Sequence, residues 1–236
     1  MIRWLGPDDP FPPVDTALAD PNGLLAAGGD LAPARLLDAY ARGIFPWAGD
    51  DEPMLWWCPD PRMVLFVDEL RVSRSLRRRI RAGRLEVTAD RAFEDVVSGC
   101  AAPRPDSEGT WITGAIAAAY TALHRLGHAH SIEAWEGGEL AGGLYGVSIG
   151  RMFYGESMFA RRPDASKVAF AFLVRQLARW GFELVDCQMS TAHLASLGAR
   201  EIPRAEFLRW VRRAIAQPAP PSPWVLDPDL GPTLYN

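Results

Sequence analysis

His130-Ser131-Ile132-Glu133-Ala134-Trp135-Glu136, followed by Gly137-Gly138, opens the stretch that decides the fold, and it runs on to Met189. The Gly-Gly pair suits a tight hairpin, so His130–Glu136 and Glu139–Ile149 read as paired strands, with Met152–Phe159 as a third. A strong amphipathic helix from Ala165 to Trp180 follows, stopped by Gly181, and Phe182–Met189 returns as a strand. The order β-β-β-α-β predicts a mostly antiparallel sheet flanked by helices and entered by a crossover helix, an α+β fold.

Upstream of this stretch, Met63–Val67 and Leu85–Thr88 read as strands. Ser73 is expected to cap a helix ending at Gly83, Asp90 one carrying Phe93, Val96, Val97 and Cys100, and Thr113 one carrying Ile116, Tyr120 and Leu123. Downstream, a helix over Arg204–Ala216 precedes a Pro-rich tail expected to lie extended over the surface. The first sixty residues show little periodicity beyond a helix at Pro33–Ala41. The sequences around Phe45-Pro46-Trp47 and Leu55-Trp56-Trp57 read as aromatic loops. A small N-terminal domain over 1–62 and a larger C-terminal domain over 63–236 are expected.

The 236 residues are 48% apolar and 23% charged, enough to bury a real core. No run approaches the roughly 18 apolar residues of a membrane span, and the N-terminus lacks the order of a signal peptide. Three scattered cysteines, Cys58, Cys100 and Cys187, point to a reducing cytoplasm rather than a disulfide framework. The net charge of −4 excludes a molecule coated in positive charge, and of 25 basic residues Lys167 alone is lysine.

Local placement therefore matters more than overall charge. Arg74, Arg77, Arg78 and Arg81 form one stripe at i, i+3, i+4, i+7, opposite Leu76 and Ile80. Four like charges on adjacent turns repel, and phosphate binding is the economical account of a stripe with no acids between them. The alternative is an ordinary basic surface.

Several residues carry chemistry. Asp186 enters an apolar strand, where an unpaired carboxylate is costly, so it has a partner: an arginine, or a substrate amine. Strand alternation places Asp186 and Gln188 on one face and Cys187 on the other. Glu156 lies within another apolar strand, and a bulge at Gly155 would bring it to the same site as Phe153. Trp47 and Trp111 read first as core residues, but they sit where a ring can stack on a base. Phe170, Leu173 and Leu177 share one helix face, either core or the wall of a pocket. His128, His130 and Glu133 lack a third ligand at metal spacing, so no metal is expected.

Together these segments resemble the leucyl/phenylalanyl-tRNA–protein transferase family over nearly the whole chain. The resemblance is carried by Asn22-Gly23-Leu24-Leu25-Ala26 with Gly28-Gly29-Asp30-Leu31, Gly43-Ile44-Phe45-Pro46-Trp47, Leu55-Trp56-Trp57 with Pro59-Asp60-Pro61-Arg62, and Gly109-Thr110-Trp111-Ile112. It continues in His128-Ala129-His130-Ser131-Ile132-Glu133, Gly155-Glu156-Ser157-Met158-Phe159, Ala165-Ser166-Lys167, Asp186-Cys187-Gln188 and Ser196-Leu197-Gly198-Ala199.

The resemblance implies a monomeric cytoplasmic enzyme with an acyltransferase-like (GNAT-like) C-terminal domain and no cofactor. It implies transfer of Leu or Phe, Met less well, from aminoacyl-tRNA to the N-terminal amine of proteins beginning with Arg or Lys, tagging them for N-end rule degradation. It further implies that Asp186 and Gln188 orient the attacking amine, with Glu156 supporting them. Leu144, Phe153, Met158, Phe170, Leu173 and Leu177 would form the aminoacyl pocket, Trp47 and Trp111 would border the terminal adenosine, and the arginine stripe would hold the acceptor stem. Cys58, Leu144 and Phe170 stand where relatives often carry Ser, Met and Leu. The competing readings are a CoA-dependent N-acetyltransferase, whose glycine-rich phosphate loop the Arg161-Arg162-Pro163-Asp164-Ala165-Ser166 segment lacks, and a non-catalytic RNA-binding module.

Overall fold

The computed structural model describes residues 2–49, 52–103 and 110–231. Gly109 of the motif before Trp111, and residues 232–236 of the Pro-rich tail, lie outside them.

The N-terminal region is more regular than its sequence suggests. Strands β1 (Arg3–Leu5), β2 (Leu24–Gly28), β3 (Phe45–Pro46) and β4 (Leu55–Trp57), with helix α1 (Pro33–Ala41), form a small sheet ordered β1-β2-β4-β3. Strands of two to five residues are too short to display a period of two, so the aromatic segments read as loops were in part edge and centre strands. Pro33 opens α1 as expected, since its missing N–H is one the first turn leaves unpaired anyway.

The larger sheet has seven strands in the order β11-β5-β10-β9-β8-β7-β6. These are β5 (Arg62–Phe66), β6 (Glu86–Ala89), β7 (Ala129–Glu136), β8 (Glu139–Ile149), β9 (Met152–Ala160), β10 (Leu184–Gln188) and β11 (Arg200–Ile202). All pairings are antiparallel except β9 with β10, which run parallel and are joined by crossover helix α5 (Ala165–Arg179). The β7–β8 hairpin turns through Gly137 and Gly138 at φ 61° and 83°, the left-handed pair that a two-residue hairpin requires.

Helices cover both faces. On one side lie α3 (Phe93–Ala101), α4 (Gly114–Arg125) and α7 (Arg204–Ile215) with α1, and Tyr145 and Val147 of β8 pack into this layer. On the other lie α2 (Arg74–Arg81) and α5, and Leu144 of β8 packs there. The first cluster runs without a break from Leu5 and Trp56 of the small sheet and Tyr40 of α1 to Tyr120, Tyr145 and Phe207, so the two sheets share a core. A short helix α6 (Ala192–Ser196), with no periodic signal in so few residues, follows β10. Among the described residues no helix is long and apolar enough to cross a membrane.

Ser73 and Thr113 cap α2 and α4 through Leu76 N–H and Ile116 N–H. Asp90 does not cap α3. It adopts φ 53°, and its carboxylate accepts from the Ser131 N–H at 3.0 Å, the Trp224 N–H at 2.6 Å and His130 Nδ1 at 2.8 Å.

The Pro-rich tail is not laid loosely on the surface either. Trp224 is 2% exposed and stacks parallel on His130 with ring centroids 3.8 Å apart, while Phe153, Trp180 and Phe182 pack around it. Leu230 is buried as well. Beyond Trp224, Gln176 accepts from the Asp227 N–H, and Arg179 pairs with both Asp227 and Asp229. The apolar content of Trp-Val-Leu among the prolines was the signal for docking.

Candidate active site

β9 and β10 are paired only at Val185–Phe153 and Asp186–Tyr154, and then part. A cavity of about 470 Å³ opens where they separate, within the usual range for small-molecule sites. Its walls are Leu144, Tyr145, Phe153, Gly155, Glu156, Ser157, Met158, Phe170, Val185, Asp186, Cys187, Gln188, Trp111, and Thr191, His193 and Leu194 of α6.

Two bulges aim the polar groups. In β9, Ser157 pairs with Tyr145 and Gly155 with Gly146, leaving Glu156 as the extra residue between them. This is the bulge expected at Gly155, and it brings Glu156 and Phe153 into one cavity. Gly146 allows the tight crossing there, because a Cβ would stand 2.3 Å from the Tyr154 carbonyl oxygen. In β10 the register slips between Asp186 and Gln188, and Gln188 takes φ 61°. The expected alternation therefore fails at its end, and Cys187 lines the same cavity as Asp186 and Gln188. Burial raises the Cys187 thiol far above its ordinary range, so it stays protonated.

Asp186 is fully buried and its partner is an arginine. Arg62, equally buried, donates Nε to Oδ1 at 2.8 Å and a terminal nitrogen to Oδ2 at 2.6 Å. Burial works against the Arg62 charge, but the Asp186 carboxylate more than restores it. The guanidinium lies between the rings of Phe45 and Phe207, 4.7 and 4.6 Å from their centroids. Asp186 Oδ1 also accepts from the Gln188 backbone N–H at 2.9 Å, which holds the turn that presents the glutamine.

Glu156 is the second centre. It accepts from the Tyr40 and Tyr120 hydroxyls, each at 2.7 Å, and from Gln188 Nε2 at 2.9 Å. Burial pushes its carboxyl up to about 7, because desolvation outweighs the two phenol hydrogen bonds that favour the charged form. Burial and the Glu156 charge raise the three tyrosines Tyr40, Tyr120 and Tyr145, which therefore remain neutral phenols. With the amide nitrogen of Gln188 committed to Glu156, the amide turns its carbonyl oxygen toward an incoming donor.

The apolar lining contains Leu144, Phe153, Met158 and Phe170. Leu173 and Leu177 are not part of it: both are wholly buried between α5 and the sheet, in the core. They fall on the same side of α5 as Phe170, but further along the helix than the gap where the strands separate. Trp111 lines the cavity and Trp47 does not. Trp47 is 42% exposed and meets Trp57 edge-on, and its carbonyl accepts from the Trp57 indole N–H. Arg74, Arg77, Arg78 and Arg81 lie exposed along α2, with Leu76 and Ile80 buried beneath them.

Arg62, Tyr40, Tyr120 and His193 were not singled out in the sequence. Arg62 stood inside a quoted motif without a role, Tyr120 counted as one more apolar position of an amphipathic stripe, and Tyr40 belongs to another sheet's helix.

The family described as leucyl/phenylalanyl-tRNA protein transferase matches residues 64–212, and its N-terminal domain matches residues 29–60. A leucyl/phenylalanyl-tRNA–protein transferase of Nitrosospira multiformis is 60% identical over 96% of this chain and 98% of its own length. One from Laribacter hongkongensis is 59% identical, over 95% and 96%, and one from an Anaeromyxobacter strain is 64% identical, over 90% and 91%. Similar solved structures are remote. L-PGS from Bacillus licheniformis has a TM-score of 0.40 at 10% identity, covering 71% of this chain and 53% of that one. A GCN5-related N-acetyltransferase from Kribbella flavida has a TM-score of 0.35 at 13% identity, covering 70% and 59%.

Proposed function

The chain belongs to the leucyl/phenylalanyl-tRNA protein transferase family, and from that premise we propose that the cavity between β9 and β10 is where an aminoacyl ester meets an acceptor amine. The enzyme is an aminoacyltransferase that moves Leu or Phe from aminoacyl-tRNA to a protein. Acceptors are polypeptides beginning with Arg or Lys, and the modification tags them for N-end rule degradation in the cytoplasm.

The reaction is attack of an amine on an ester that is already activated: the new C–N bond forms as the C–O bond to the terminal ribose breaks, and the departing ribose hydroxyl takes up the proton the amine loses, so the chemistry needs positioning and charge stabilisation more than energy input. Leu144, Phe153, Met158 and Phe170 take the aminoacyl side chain, and Trp111 borders the terminal adenosine. The Gln188 carbonyl oxygen accepts a hydrogen bond from the attacking amine and aims its lone pair at the ester carbon. Glu156 fixes which end of the amide points inward. Asp186, committed to Arg62 and to the Gln188 N–H, acts through Gln188 as a positioning residue rather than on the amine itself. The arginine stripe of α2 takes the acceptor-stem phosphates, a contact indifferent to base sequence.

Residues 1–62 act as a small N-terminal domain that lends Tyr40 to a catalytic domain over 63–236. The enzyme acts as a monomer.

The observation that carries the reading is the Gln188–Glu156 hydrogen bond beside an apolar cavity, in a chain matched by this family along nearly its length. The purified protein, given leucyl-tRNA and a peptide starting with Arg, is expected to add one leucine, read by mass spectrometry. Acetylation from acetyl-CoA with no leucine addition would overturn it.

A further inference from the structure

Phe170, on the cavity wall, lies one helical turn after Lys167, so the two stand on the same side of α5, and Lys167 is close enough to His193 of the cavity wall for its charge to act on the imidazole. Its half-exposed ammonium gives one of its three N–H donors to Asp164 at 3.1 Å. From α6, His193 lines the same cavity. Burial and the Lys167 charge both hold the imidazole below its ordinary value. The charged groups around it are Lys167 with Asp164 from α5, Glu156 from β9, and the closed Asp186–Arg62 pair of β10 and β5. Lys167 discourages a second positive charge beside it, and an anion placed between the two removes that conflict.

The donor carries such an anion. An aminoacyl side chain in the cavity places the terminal ribose at the mouth, and the phosphodiester on the 5′ side of that ribose comes next along the strand. We propose that Lys167 and His193 bind this phosphate, an inference resting on the placement of the aminoacyl group in the cavity. The pair gives the enzyme a grip on the last internucleotide link whatever the tRNA. Phosphate binding favours the charged imidazole, so the grip tightens as pH falls.

Two small donors test it: leucyl-adenosine, which has no phosphate, and the leucyl ester of the trinucleotide CCA, which has. Transfer to a peptide beginning with Arg is measured for wild type, Lys167→Met and His193→Gln. In each variant the ratio of kcat/KM for the trinucleotide to that for the nucleoside should fall about tenfold, the size of one charge-assisted hydrogen bond. For wild type the KM of the trinucleotide should rise with pH through the histidine range, and less so in His193→Gln. A ratio within twofold of wild type in both variants overturns the proposal. So does an equal fall for both donors, which marks a structural role. Met158→Trp separates the two readings: if it leaves transfer from leucyl-adenosine intact, the cavity placement fails, whichever way the ratio moves.

Discussion

Gln188 and Glu156, 32 positions apart in the chain, are joined by a 2.9 Å hydrogen bond across the gap between two parallel strands. Each stands at a bulge that aims its side chain into the gap. Replacing Gln188 with Ala removes the acceptor for the amine while leaving the Arg62–Asp186 pair beneath it in place. Transfer is expected to fall by a factor of 10² or more, the range for positioned polar groups in acyl transfer, with the unfolding midpoint nearly unchanged. A variant that loses stability and activity together would make Gln188 structural.

Asp186→Asn should behave differently. It leaves a buried guanidinium without its counter-charge, a loss of about 3–5 kcal/mol. Denaturant unfolding should show this directly, and the double change Arg62→Met with Asp186→Leu should recover part of it without restoring transfer. Unchanged stability in Asp186→Asn would mean the pair is not worth its burial.

Stability should also follow the protonation of Glu156. Its carboxyl titrates near 7 in the folded chain against 4.5 ordinarily, so folding favours the neutral form. That contribution is complete below about pH 4.5 and is lost as pH rises through 7. Between pH 5 and pH 8 the wild type should lose up to about 3 kcal/mol relative to Glu156→Gln, which has no proton to release. Urea unfolding of the two proteins across this range measures the difference, and parallel curves would contradict it.

The cavity wall and the buried core face of α5 separate in a simple comparison. Met158→Trp fills the cavity and should abolish transfer of Phe before that of Leu. Leu177→Ala should cost about 2–5 kcal/mol of stability and leave the preference between Leu and Phe unmoved. If Leu177→Ala shifts the preference, the cavity extends deeper than its present walls.

For the basic stripe, Arg74→Glu combined with Arg81→Glu should raise the KM for leucyl-tRNA and flatten its salt dependence, since each lost phosphate contact removes close to one unit from the logarithmic slope. The KM for leucyl-adenosine, which has no stem to hold, serves as the internal reference. An unaltered slope would take α2 out of the interface.

What the sequence made legible were features whose cause is local. The Gly137-Gly138 turn, the Ser73 and Thr113 caps and the α5 crossover depend on a few adjacent residues, and all stand where their chemistry put them. The Glu156 bulge was also legible, because a carboxylate in an apolar strand needs a reason. The partner of Asp186 was not: Arg62 lies 124 residues away, and an arginine and a substrate amine satisfy a buried carboxylate equally well on paper. Strand alternation misplaced Cys187 because it assumes an unbroken ladder, and helical periodicity could not say where along α5 the sheet opens. Asp90 looked like a helix cap by position, yet its side chain serves β7 and the tail.

Trp224 stands directly behind Phe153, with ring centroids 5.7 Å apart, so a segment near the end of the chain sets how far back the pocket floor can retreat. The volume open to a substrate is therefore negotiated between two distant stretches of sequence. A lineage that drifted toward a bulkier residue at 153 would have to thin the tail to accommodate it, and one that lost the tail would inherit a looser and less discriminating enzyme.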